Sequence, residues 1–158
     1  MSESELHQQM ADLTAAIGGA ELDQSLQDTL NRDFGPGSSA FDAIVATCQR
    51  GVEAGWLCQH EAGGIRYGRV FKPTDELQGF SVDVVDMQDV VGPHHAHPNG
   101  EIDLVMPLDE SAKFDGHGAG WVVYPSGSAH HPTVSDGRAL VLYLLPGGSI
   151  EFTRPAGA

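Results

Sequence analysis

The chain has 158 residues, with 22 acidic and 8 basic side chains and a formal charge of −14 at pH 7. That length fits one domain with an appendage, large enough for a core without disulfides or a structural metal as staples. So acidic a surface repels phosphate backbones and anionic membranes, and no apolar run approaches the roughly 18 residues of a membrane span, so neither nucleic acid nor membrane is expected as a partner.

The start, MSESELHQQM, has neither the basic nor the apolar region of a secretory leader. Cys48 and Cys58 do not form a CxxC, so two free thiols and a cytoplasmic protein are expected. Leu6, Met10, Leu13 and Ile17 form one apolar stripe of a helix, with Ser2 and Glu5 at capping-box spacing and Gly18-Gly19 as its stop. Leu22, Leu26 and Leu30 repeat every fourth residue up to the break at Phe34-Gly35-Pro36-Gly37. Ser38 or Ser39 caps a third helix with Phe41, Ile44, Val45, Cys48 and Val52 on one face, ending near Gly55. Apolar stripes outside a β body suggest packing against that body or a partner, and a homodimer or higher homo-oligomer is expected.

From Trp56 the pattern changes to short β-rich runs between Gly, Pro, Asp and Asn, at 65–71, 80–87, 101–106, 120–124, 139–145 and 150–153. Closely spaced short strands point to an all-β sandwich or barrel. The expected division is a helical extension over 1–55 and a β domain over 56–158.

Eight histidines are present, and six of them fall between residues 94 and 131. In the run Gly92-Pro93-His94-His95-Ala96-His97-Pro98-Asn99-Gly100-Glu101, His95 and His97 are two apart and share a face of an extended chain. The Pro98-Asn99-Gly100 turn swings Glu101, at the start of the next strand, toward the same interior. A second turn, Pro125-Ser126-Gly127, delivers His130. Three imidazoles and a carboxylate make a site for a divalent ion with coordination positions left open. His94 and His131 each neighbour one of these and face the other way, and His117 lies in an exposed loop.

His95-x-His97-x3-Glu101 followed by Pro125-x-Gly127-x2-His130 resembles the two-part signature of the cupin superfamily. The likeness implies a mainly β double-stranded β-helix, a jelly-roll barrel, with one divalent transition metal ion per chain (Fe, Mn, Zn, Ni or Co) on His95, His97, Glu101 and His130. Two departures touch no ligand: Gly92 lies too close to His95, and Val134 stands where the second motif ends in Asn. The helical first third, the compact barrel and the stretch from Gly92 to the end resemble more narrowly the small cupins of the 4-hydroxylaminobenzoate lyase family.

That resemblance implies conversion of 4-hydroxylaminobenzoate and water to protocatechuate and ammonia, with a small aromatic acid as the partner and no organic cofactor. Glu101 and Asp103, which share a strand face, are the expected catalytic carboxylates. Arg66, Arg69 and Arg138 are candidates to clamp the substrate carboxylate, and Tyr67, Tyr124, Tyr143 and Trp121 to wall the pocket. Two other readings use the same ligands: a non-haem metal dioxygenase acting on a small aromatic or diketone substrate, and a non-catalytic metal- or small-molecule-binding cupin.

Overall fold

A computed structural model of the chain describes residues 2–152. Three helices come first: α1 (Glu3–Ile17), α2 (Gln24–Phe34) and α3 (Ser39–Ala54). Each opens on a side-chain cap: Ser2 accepts from the Glu5 amide, Asp23 from Leu26 and Ser38 from Phe41. Gly55, left-handed at φ 86°, closes α3 by donating to the Gly51 and Val52 carbonyls. Leu22, expected in the second helix, lies before its cap.

Ten strands follow: β1 (His60–Ala62), β2 (Ile65–Phe71), β3 (Phe80–Val91), β4 (His95–His97), β5 (Glu101–Pro107), β6 (Lys113–Phe114), β7 (Gly120–Tyr124), β8 (Ser128–His130), β9 (Thr133–Pro146) and β10 (Glu151–Phe152). Thr153, the last residue of the expected final strand, lies outside the described residues. A large antiparallel sheet runs β1-β2-β3-β9-β5-β7, with β6 also on β9. A small sheet, β10-β4-β8, makes the second layer of the roll.

The helices cover the outer face of the large sheet. Alternation along each strand separates two sets of side chains. Val82, Val84, Ile102, Leu104, Trp121, Leu140, Leu142 and Leu144 share a core with Leu6, Met10, Leu13, Leu26, Leu30 and Ile44 of the helices. Met87, Val105, Val122, Ala139 and Val141 point the other way, into the roll. The helical stripes are therefore consumed within the chain itself, and helices and barrel share one core across residue 55. At about 1.5–3 kcal/mol for each fully buried large apolar side chain, that layer is a main source of stability. Trp121 is part of it and faces the helices rather than the interior of the roll.

Edge strand β7 is closed by α2. Asn31 donates from Nδ2 to the Trp121 carbonyl (2.9 Å) and accepts the Trp121 amide on Oδ1 (2.7 Å), as a neighbouring strand would. Gln27 accepts the Val123 amide at 2.9 Å. Pairing the edge this way also removes a template for aggregation. Replacing Asn31 by Ala strands a part-buried amide and carbonyl, and should cost about 1–3 kcal/mol in urea unfolding with the helical content of the folded state retained.

Candidate metal centre and cavity

His95, His97, Glu101 and His130 come together between the two sheets, their ligand atoms all within 4.8 Å of one another. His95 and His97 alternate with Ala96 on β4. His130 is brought opposite by the β4–β8 register, which pairs His95 with His130 and His97 with Ser128. Glu101 comes from the large sheet. The turn before it needs glycine: Gly100 has φ 86°, and a Cβ there would lie 2.7 Å from Leu22 Cδ2 and 2.8 Å from the Tyr124 carbonyl oxygen.

The hydrogen bonds around the imidazoles leave each Nε2 facing inward. Ser128 gives its only hydroxyl proton to the Pro125 carbonyl (2.6 Å), so toward His97 Nδ1 (2.9 Å) it accepts. His130 Nδ1 donates to Asp115 Oδ2 at 2.5 Å. His95 bonds the Pro93 carbonyl. Inside the cluster, His97 Nε2 lies 3.2 Å from Glu101 Oε2, His130 Nε2 3.7 Å from the same oxygen, and His95 Nε2 3.9 Å from Glu101 Oε1. His95 Nε2 and His130 Nε2 are only 3.1 Å apart.

Converging lone pairs repel one another, and His97 Nε2 is buried with no hydrogen-bond partner among the described residues. A cation bound by all four groups relieves both conditions, so the donor set fits a divalent transition ion.

Burial holds the His95 pKa down to about 4, so the ring is neutral and available as a ligand at neutral pH. Burial alone would raise the pKa of Glu101, but its interactions with His97 and Asp103 and the nearby imidazoles outweigh that and lower it. Asp103 is 1% exposed; neither of its oxygens meets a donor group among the described residues, and its carboxyl interacts with that of Glu101. Burial first, and the Glu101 charge second, push its pKa well above the usual carboxylate range.

Beside the cluster lies a cavity of about 300 Å³. Its walls are apolar, with Ile65, Val85, Met87, Phe114, Val141 and Phe152 among them, and His95, Glu101 and Asp103 open onto it. Tyr143 lines it from β9, and Tyr67, 40% exposed, from β2. Tyr124 borders the histidines instead, its ring 4.6 Å from that of His130.

Arg66 and Arg138 do not face this space. They sit with Asp86 on the opposite face of the large sheet, Arg138 by two bonds of 2.8 and 2.7 Å and Arg66 at 3.7 Å. Strand parity is the reason: Tyr67 and Ile65 point into the cavity, so Arg66 between them cannot. Arg69 shares the cavity-side face, but its Nε is bound to Asp83 (3.2 and 3.3 Å) and its Nη2 to the Gly148 carbonyl (3.2 Å). His94 and His131 contact each other, ring centroids 4.8 Å apart, and His117 is exposed.

Asp115 escaped the sequence reading. It stands far from His130 along the chain, and only the Asp-Gly pair of a tight turn marks it.

A model of the family described as PnbB: 4-hydroxylaminobenzoate lyase matches residues 8–152. The chain belongs to the 4-hydroxylaminobenzoate lyase family. It is 36% identical over 144 residues to the 4-hydroxylaminobenzoate lyase of Nocardioides sp. (strain LMS-CY), covering 84% of this chain and 85% of that protein. To the 4-hydroxylaminobenzoate lyase of Pseudomonas putida it is 31% identical over 158 residues, covering 89% and 90%. The solved structure of DMSP lyase DddQ from Ruegeria pomeroyi DSS-3 superposes with a TM-score of 0.60 over 99% of this chain and 98% of that one. At 18% identity that likeness concerns the fold alone. The architecture is a cupin barrel with three helices on its outer face.

Asp83 permits a test of the cavity-side electrostatics. Burial pushes its pKa up to about 6 despite Arg69. The unfolded chain releases this proton near pH 4 and the folded chain near pH 6, so the stability it contributes is present below about pH 4 and is lost as pH rises through about 6. In Asp83→Asn, urea unfolding should show a loss between pH 4 and 6 that is smaller than in the parent by up to about 3 kcal/mol.

Proposed function

We propose that this protein is a metal-dependent lyase converting 4-hydroxylaminobenzoate and water to protocatechuate and ammonia, with one divalent ion on His95, His97, Glu101 and His130. The observation that carries the reading is family membership across residues 8–152 together with a four-ligand cluster opening onto an apolar cavity. The overall reaction balances without dioxygen: the N–O bond is broken and reduced while a ring carbon is oxidised.

A bound divalent ion supplies Lewis acidity at the hydroxylamine end of the substrate. The chain's own residues do the rest. Val85, Met87 and Val141 take the aromatic ring and exclude bulk water. Asp103 keeps its proton at neutral pH and, as general acid, gives it to the departing oxygen. Tyr143 and Tyr67 offer hydroxyl donors to the polar ends of the substrate, and Arg69 supplies positive charge on the cavity-side face. With Arg66 and Arg138 turned away, the carboxylate is held without the bidentate clamp that their presence in the sequence suggests.

Purified protein should carry about one divalent ion per chain by elemental analysis. His97→Ala or His130→Ala should lose most of it, since each removes one bond to the ion, while His117→Ala keeps it. In an anaerobic chamber, metal-loaded protein should turn over 4-hydroxylaminobenzoate at an undiminished rate, releasing ammonia in step with protocatechuate. A requirement for oxygen, or product without ammonia, overturns the lyase reading in favour of the dioxygenase. Asp103→Asn should lower kcat by about 10²–10⁴-fold with little change in metal content.

A further inference from the structure

The three imidazoles differ in what holds them from behind. His95 has a backbone carbonyl, His97 a serine hydroxyl, and His130 a carboxylate that is itself tightly fixed. Asp115 follows β6 in a two-residue turn. Phe114 and His117 exchange both backbone bonds at 2.8 Å, and Asp115 and Gly116 between them have φ 49° and 82°. Positive φ at both central residues is the conformation an Asp-Gly pair favours in a hairpin.

The turn is pinned to the start of β9 twice: the Asp115 amide donates to the Thr133 carbonyl (2.8 Å), and the Thr133 amide donates to Asp115 Oδ1 (2.9 Å). That leaves Oδ2 in a fixed place, where it accepts from both His130 Nδ1 and the Tyr124 hydroxyl, each at 2.5 Å. The Tyr124 ring lies against His97 and His130, with centroids 5.3 and 4.6 Å away.

We propose that Asp115, fixed by Thr133 and Tyr124, is the positioning residue of the site: it holds His130 as the Nδ1–H tautomer with Nε2 turned inward, and so sets how tightly the divalent ion is gripped. A carboxylate behind an imidazole makes the ring a stronger donor and fixes its orientation, and loss of such a partner weakens metal binding about 10–100-fold in proteins generally. Asp115 also brings a second negative charge to the cluster from behind His130, so a divalent ion would meet two carboxylates, one bound directly and one acting through His130. The proposal rests on reading the four-residue cluster as a metal site.

The test uses Co²⁺ titrated into the chelator-stripped full chain against a competing chelator. Asparagine tolerates the left-handed backbone of residue 115 and keeps an oxygen for Thr133, so Asp115→Asn removes the charge while preserving the turn. Its Co²⁺ affinity should fall about 10–100-fold, and its thermal midpoint without metal should stay near that of the parent. In the metal-free parent, where no ion dictates the tautomer, nitrogen-15 NMR should find the His130 proton on Nδ1.

If Asp115→Asn binds Co²⁺ within about twofold of the parent, or if His130 carries its proton on Nε2, the positioning role is overturned while the metal site stands. A parent that binds no Co²⁺ overturns the metal reading and this one with it. The NMR measurement decides the matter even where the variant does not fold.

Discussion

Glu101 and Asp103 are carboxyl groups at 2% and 1% exposure, two residues apart on a strand sealed on both faces. An isolated carboxylate in such a place is costly enough that burial normally keeps it neutral. Here the two groups diverge. Glu101 stays ionised because imidazoles surround it, and Asp103, with no donor of its own and a negative neighbour, keeps its proton. One strand thus presents an anionic carboxylate and a protonated one side by side, a difference of environment rather than of residue type.

The helices make that strand possible. An antiparallel sheet with one wet face would let water reach β5 from behind. With α1 to α3 on its outer face, Ile102, Leu104 and Met106 are wholly buried, and Glu101 and Asp103 meet only the roll interior. Gly100 ties the two layers: the site's turn passes so close to Leu22, between α1 and α2, that no side chain fits.

Much of this was legible in the sequence because it is local. Two histidines two residues apart on an extended run share a face, a Pro-Asn-Gly turn reverses the chain before Glu101, and a Pro-Ser-Gly turn precedes His130. Helix caps and the 65–71 and 120–124 strands are local for the same reason. β6 and β8, at two and three residues, are too short to show a period. Asp115 reaches His130 through the pairing of β6 with β9, which no spacing reports. Arg66 and Tyr67 cannot both line the cavity, because adjacent strand residues face opposite ways, a rule that applies to the sequence as much as to the structure.

The arginines also reveal how this chain distributes its few cations. Against a net charge of −14, Arg66 and Arg138 answer Asp86, and Arg69 answers Asp83, both buried aspartates. Removing Arg69, or both Arg66 and Arg138, would leave a buried carboxylate without its cation, which costs more than an exposed pair is worth. These cations are therefore committed to the fold before any ligand arrives. On the proposed reading, an aromatic acid entering the cavity would meet hydroxyl groups from Tyr67 and Tyr143 and a neutral Asp103, with Arg69, already tied to Asp83, as the cation on that face. Placement of the ring would then depend on the metal end of the cavity, which would give the orientation of His130 a bearing on specificity as well as on affinity.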